Sequence, residues 1–121
     1  MIRTASFWKE QMKTGYVYIM SNFKRTTFYI GVTNELAYRI YQHRAGEIEG
    51  FTKRYCLKYL VYYEDAGTMS DAIAREKQLK NWHREWKVNL IKSMNPEMRD
   101  LSYEVLGEGE LNSDPDIVGT V

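Results

Sequence analysis

The chain has 121 residues, a net charge of +1, 44% hydrophobic and 27% charged residues, with ten Tyr, three Trp and one Cys. That length suits one domain with a modest core, and the lone Cys56 excludes an internal disulfide, which fits a reducing compartment and a thiol buried as a small core residue. Two His and one Cys exclude a structural zinc site, and no apolar run has signal-peptide or transmembrane character, so a cytoplasmic protein with no membrane partner is expected.

Residues 1–12 show no periodicity and read as an N-terminal extension, so the folded domain is expected over 13–100. Its first stretch, GYVYIMSNFKRTTFYIGVT from Gly15 to Thr33, places two apolar-aromatic runs around a polar loop, the signal of a β-hairpin. Each run carries a tyrosine, Tyr18 and Tyr29, whose hydroxyl needs a partner if buried. A helix follows. Thr33 or Asn34 can cap it, Leu36, Ile40 and Tyr41 give apolar spacing, and Gly46 can end it. Arg39 and His43 lie four apart on one face beside that stripe. They read as surface cations flanking the core or as a pair aimed at a site, and spacing alone favours the first.

Thr52-Lys53-Arg54-Tyr55 combines two cations with hydroxyls and a ring, a cluster able to hold phosphates and equally an ordinary loop. The Val and Tyr content of Leu57–Glu64 predicts a third strand. A second helix, capped by Thr68 or Ser70, is expected from about Asp71. Its inward stripe runs Ala72, Leu79, Trp82, Trp86, Leu90, with a break near Asn81–His83 and a stop before Pro96. Glu76 falls on the inward stripe. It either pairs with Lys80 at i+4 or holds a metal, and spacing alone favours the pair. From Leu101 there are five acids and no Lys or Arg, so 101–121 reads as a flexible acidic tail beside a basic body. The order β-β-α-β-α-α gives an α+β domain: a three-stranded, mainly antiparallel sheet flanked by helices.

Tyr18, Tyr29, Arg39, His43 and Glu76 form a set suited to phosphodiester hydrolysis with one divalent ion. A carboxylate can hold Mg²⁺, a guanidinium can neutralise phosphate, and a phenol can take a proton from water. YVY at 16–18, YIG at 29–31, Arg39 and His43 on one helix and Glu76 on a later one occur in the order that defines a family. The chain resembles a small GIY-YIG domain, the module of certain homing endonucleases, restriction enzymes and the incision subunit of bacterial excision repair. The likeness covers about Lys13 to Asp100, with Tyr16-Val17-Tyr18 in place of GIY. The resemblance implies a Mg²⁺-dependent DNA endonuclease, with Mn²⁺ as the alternative ion, in repair or recombination. It assigns Tyr18 as preferred base with His43 assisting, Tyr29 as positioning group or alternative base, Arg39 as phosphate ligand and Glu76 as metal ligand. The family's Asn falls on Asn89 or Asn95. Some members carry a Lys just after YIG, where this chain has Val32-Thr33. Lys53, Arg54, Lys80, Arg84 and Lys87 are the expected DNA phosphate contacts outside the site, with specificity supplied by a partner protein or a homodimer. The alternatives are a weak or inactive nucleic-acid-binding module on the same fold, and a protein-interaction domain.

Overall fold

The computed structural model describes residues 14–107, so the N-terminal extension and most of the acidic tail lie outside the described residues. Three strands, β1 (Thr14–Ser21), β2 (Phe28–Thr33) and β3 (Tyr59–Thr68), form an antiparallel sheet in the order β2-β1-β3. Five helices accompany it among the described residues: α1 (Leu36–Ala45), α2 (Phe51–Arg54), α3 (Met69–Lys80), α4 (Arg84–Met94) and α5 (Ser102–Leu106). None is long and apolar enough to cross a membrane.

β1 is the central strand and carries the run YVYIM because both of its faces are covered. Side chains alternate across a strand. Val17 and Ile19 therefore point to one face, where they meet Ile30, Val61, Ala72, Leu79 and Ile91 under α3 and α4. Tyr18 and Met20 point to the other, where Leu36 and Ile40 of α1 close over them with Leu57, Leu60 and Leu101. The α+β class and the antiparallel sheet expected from the sequence are both present.

Details differ where tertiary packing overrides local signals. The N-cap residue of α1 is Glu35, with no side-chain cap, because Thr33 remains in β2 with its hydroxyl accepting from Glu35 N–H at 3.0 Å. Thr68 caps α3 as expected, its Oγ1 accepting from Asp71 N–H. Gly46 ends α1 in the left-handed region, φ 73°. The break at Asn81–His83 changes the helix phase, so the apolar stripe does not continue through it. Trp86 is half exposed and stacks edge-on against Trp82 outside the core. Cys56 is exposed rather than a core residue, since it follows α2 in a turn at φ 57°.

The segment expected to begin the tail is packed as far as Leu106. Leu101 is buried, its N–H donates to Leu60 O at 2.7 Å, and α5 lies against α1. Arg44 of α1 fixes this end of the chain. It is nearly buried and donates to Asp100 at 2.8 Å and to Ser102 Oγ at 3.0 Å, and Asp100 also accepts from Leu60 N–H.

One close approach sets the position of α3. A Cβ on Gly15 would lie 2.6 Å from Thr68 O and 2.8 Å from both Met69 Cα and Ala72 Cβ. The first turn of α3 sits directly on β1 there. Gly15→Ala should therefore overpack the contact and destabilise the domain by about 1–3 kcal/mol, lowering Tm by about 4 °C or more in a thermal melt. An unchanged Tm would mean that α3 shifts freely on the sheet.

Candidate active site

The site forms on the α1 side of the sheet, over the edge strand β2. Tyr18 pairs in register with Gly31. Its ring lies over that glycine: a Cβ added at Gly31 would be 2.5 Å from the Tyr18 hydroxyl oxygen and from Cζ. Gly31 is an ordinary strand residue, so its value lies in the space it leaves and not in a turn conformation. The glycine of YIG is the floor on which the tyrosine of the first motif rests.

That placement brings the phenol to α1. The Tyr18 hydroxyl is 2.9 Å from His43 Nε2, and His43 Nδ1 is 3.2 Å from Thr52 Oγ1 on α2. All three residues are buried. Tyr29 completes the group, with its ring centroid 6.3 Å from that of Tyr18 and 5.6 Å from that of His43. His43 is a buried partner of the phenol, not the surface cation that spacing favoured.

Burial, and then nearby charge, sets the protonation of the group. Burial pushes the Tyr18 phenol well above its usual range, and Tyr29 and Glu76 add to this while Arg39 opposes it. The His43 imidazole is lowered to about 4, first by burial and then by Arg39. His43 is thus neutral at pH 7. In the tautomer whose Nε2 accepts from the Tyr18 hydroxyl, Nδ1–H donates to Thr52 Oγ1, and every polar atom of the group is satisfied.

Arg39 lies one turn before His43 on α1, and its Nε is buried without a hydrogen-bond partner among the described residues. A buried N–H without an acceptor costs about 1–3 kcal/mol. Already stripped of water, it can accept an oxyanion with little further desolvation. Glu76 comes from α3, on the opposite face of the sheet, yet lies near enough to Tyr18 to raise its pKa. Its carboxylate is 17% exposed and pairs with the half-exposed Lys80 at 3.0 Å.

His43 and Tyr29 therefore pack around Tyr18, and Arg39 and Glu76 act on its phenol electrostatically. The two candidate asparagines separate: Asn95 is buried at the end of α4, where its amide donates to Val61 O and Arg99 O, whereas Asn89 is exposed on α4. The candidate phosphate contacts divide into two groups. Lys53 and Arg54 lie on α2 beside His43, with Lys53 paired to Glu49. Lys80, Arg84 and Lys87 lie on α3 and α4, with Arg84 over the Phe28 ring at 5.0 Å. Thr52 escaped the sequence reading as a partner of His43. Gly31 was visible only as part of YIG, and the hairpin register sets it opposite Tyr18.

A model of the GIY-YIG catalytic domain family matches residues 14–89. The chain is also similar to proteins of the UPF0213 group. It is 35% identical over 80 residues to one from Staphylococcus haemolyticus, covering 66% of this chain and 96% of that protein. It is 35% identical over 75 residues to one from Haloquadratum walsbyi, covering 62% and 83% respectively. A Staphylococcus aureus member is 32% identical over 81 residues, covering 67% and 98%. No solved structure gives a significant match. With more than half of the chain matched and both tyrosine motifs paired on one antiparallel sheet, the chain belongs to the GIY-YIG catalytic domain family, a family of nucleases.

Proposed function

We propose that this protein is a metal-dependent endonuclease that hydrolyses phosphodiester bonds in DNA, with Tyr18 as general base, His43 as its proton acceptor, Arg39 as phosphate ligand and Glu76 as metal ligand. One observation carries the reading: a buried phenol bonded to a neutral imidazole, beside a guanidinium with a buried, unpartnered N–H.

A phenol with a raised pKa stays protonated in the resting protein. It acts as a base only by passing its own proton on as it receives another. The Tyr18 oxygen takes a proton from the attacking water while the Tyr18 proton moves to His43 Nε2. The Nδ1–H of His43 keeps its bond to Thr52 Oγ1 and holds the ring in line. Arg39 depresses the basicity of His43 in the free protein. A phosphate on Arg39 offsets that charge, so substrate binding makes His43 a better acceptor. Tyr29 borders the same space and positions the phosphate or the water, or serves as the alternative base.

The donor set suits a hard divalent ion. Among the described residues no cluster of three His, Cys, Asp or Glu is placed to hold a metal. Mg²⁺ binds through one or two carboxylates together with waters and substrate phosphates. Glu76 is a largely buried carboxylate whose Lys80 partner is half exposed, an i,i+4 pair contributing only about 0.2–0.5 kcal/mol. Glu76 would hold Mg²⁺, or Mn²⁺ in its place, and the ion when bound stabilises the leaving oxygen. Lys53, Arg54, Lys80, Arg84 and Lys87 supply backbone contacts, with specificity from a partner protein or a second copy. Repair or recombination in the cytoplasm is the setting this chemistry fits.

One observation favours a second reading, a weakly active or inactive DNA-binding module. Val32, in the place where some members carry a Lys, packs against the core under α3 and contributes no cation. The two readings separate at Glu76. Glu76→Gln should keep its fold and its Ca²⁺-independent binding of DNA while nicking of supercoiled plasmid in Mg²⁺ falls at least about a hundredfold. Nicking at the wild-type rate would remove Glu76 from the metal site, and no nicking by the wild-type protein in Mg²⁺ or Mn²⁺ would support the second reading.

The His43 assignment has a consequence in pH. Its folded pKa of about 4 lies below the unfolded value of 6.5. Between these values the unfolded chain binds more protons. The stability tied to neutral His43 is therefore complete above pH 6.5 and lost as pH falls towards 4. The difference in unfolding free energy between wild type and His43→Gln should shrink by up to about 3 kcal/mol from pH 7 to pH 4 in urea titrations. A pH-independent difference would show that His43 titrates alike in both states.

A further inference from the structure

α2 is a single helical turn with two unlike sides. Thr52 faces inward, is buried, and bonds to His43. Phe51 and Tyr55 face outward, each about half exposed, with ring centroids 4.8 Å apart. The Arg54 guanidinium lies over the Tyr55 ring at 5.6 Å, and Lys53 projects beside it, paired at the surface with Glu49. The aromatic pair and the two cations therefore stand on the outer side of the helical turn whose inner side holds His43.

We propose that α2 is a binding site for an unpaired nucleotide of the DNA strand being cut, with its base stacked on Phe51 and Tyr55 and its flanking phosphates on Lys53 and Arg54. This rests on the nuclease reading above and adds the substrate class to it: single-stranded or locally unpaired DNA. Two features select this occupant. Exposed rings beside Arg and Lys are the combination that binds single strands, because every base offers a π-face while the cations follow the backbone. In a paired duplex the base faces are stacked on their neighbours and cannot reach such rings. The patch is also tied to the site, because buried Thr52 of the same helical turn bonds to His43. The Lys53–Glu49 pair is exposed and i,i+4, weak enough to be exchanged for a phosphate.

The test measures binding without cleavage. Fluorescence anisotropy in Ca²⁺ would compare a labelled mixed-sequence DNA strand of about 15 nucleotides with the matched duplex and with a duplex holding a short unpaired bulge, at fixed salt. The expected result is tighter binding of the single strand and the bulge than of the matched duplex, by about tenfold or more. The double variant Phe51→Ala with Tyr55→Ala should lose that preference and leave matched-duplex binding unchanged. Both rings are exposed, so its melting curve should follow the wild type. If the variant unfolds, Phe51→Leu with Tyr55→Leu keeps the apolar bulk and should still lose stacking. Quenching of 2-aminopurine in the bulge by wild type, absent in the variant, reports the stacked base directly. Equal affinity for the three DNAs, or equal losses on all three in the variant, would overturn the proposal. So would unchanged binding in the variant, which would assign the rings to a protein partner. Failure of the nuclease reading looks different: strand-selective binding with no nicking in any divalent ion.

Discussion

The hydrogen bond between Tyr18 and His43 is the contact around which this domain is organised. It joins the central strand to the first helix through 25 residues of sequence separation, inside the core, at 2.9 Å. A polar pair in that position is tolerable only because each atom finds a partner, the imidazole on both sides. It also needs room, and the room comes from the absent side chain of Gly31 on the neighbouring strand. Three motifs distant in sequence are thus one physical unit: the strand supplies the phenol, the glycine its floor, and the helix the acceptor.

The surroundings tune that unit. Burial removes water and makes both groups harder to ionise, which keeps the phenol protonated and the imidazole neutral at rest. Arg39 and Glu76 then act with opposite signs on Tyr18, one from α1 and one from α3. The central strand, with helices on both faces, lets groups from opposite sides of the sheet converge at its β2 edge. The Arg44–Asp100–Ser102 cluster closes the far end of the same layer and gives the polar ends of α1 and α5 their partners.

Much of this was legible in the sequence, and the reasons are physical. The hairpin, the Gly46 stop, the Thr68 cap and the break before α4 each depend on local chemistry, so local reading finds them. The candidate site residues were picked out by the order of their motifs. What local reading could not supply was depth. His43 and Arg39 lie one turn apart, and spacing cannot tell a surface cation from a buried hydrogen-bond partner until α2 is folded against α1. Helical phase failed for Trp86 because an extended residue, His83, resets the phase between α3 and α4. α5 was missed because five residues give too short a period to read. Leu101 is held there by a backbone bond to β3 that no pattern announces.

The central claim is that the Tyr18 hydroxyl is the group that relays the proton of the attacking water. The direct measurement is single-turnover nicking of supercoiled plasmid by Tyr18→Phe in Mg²⁺, run beside a Ca²⁺ binding assay. The replacement keeps the ring over Gly31 and removes one oxygen. The expected result is unchanged DNA binding with nicking slowed by a factor of at least about 100, in line with the loss of general base catalysis. Nicking at the wild-type rate by a folded Tyr18→Phe protein would contradict the claim and transfer the base to Tyr29 or to a residue outside this cluster.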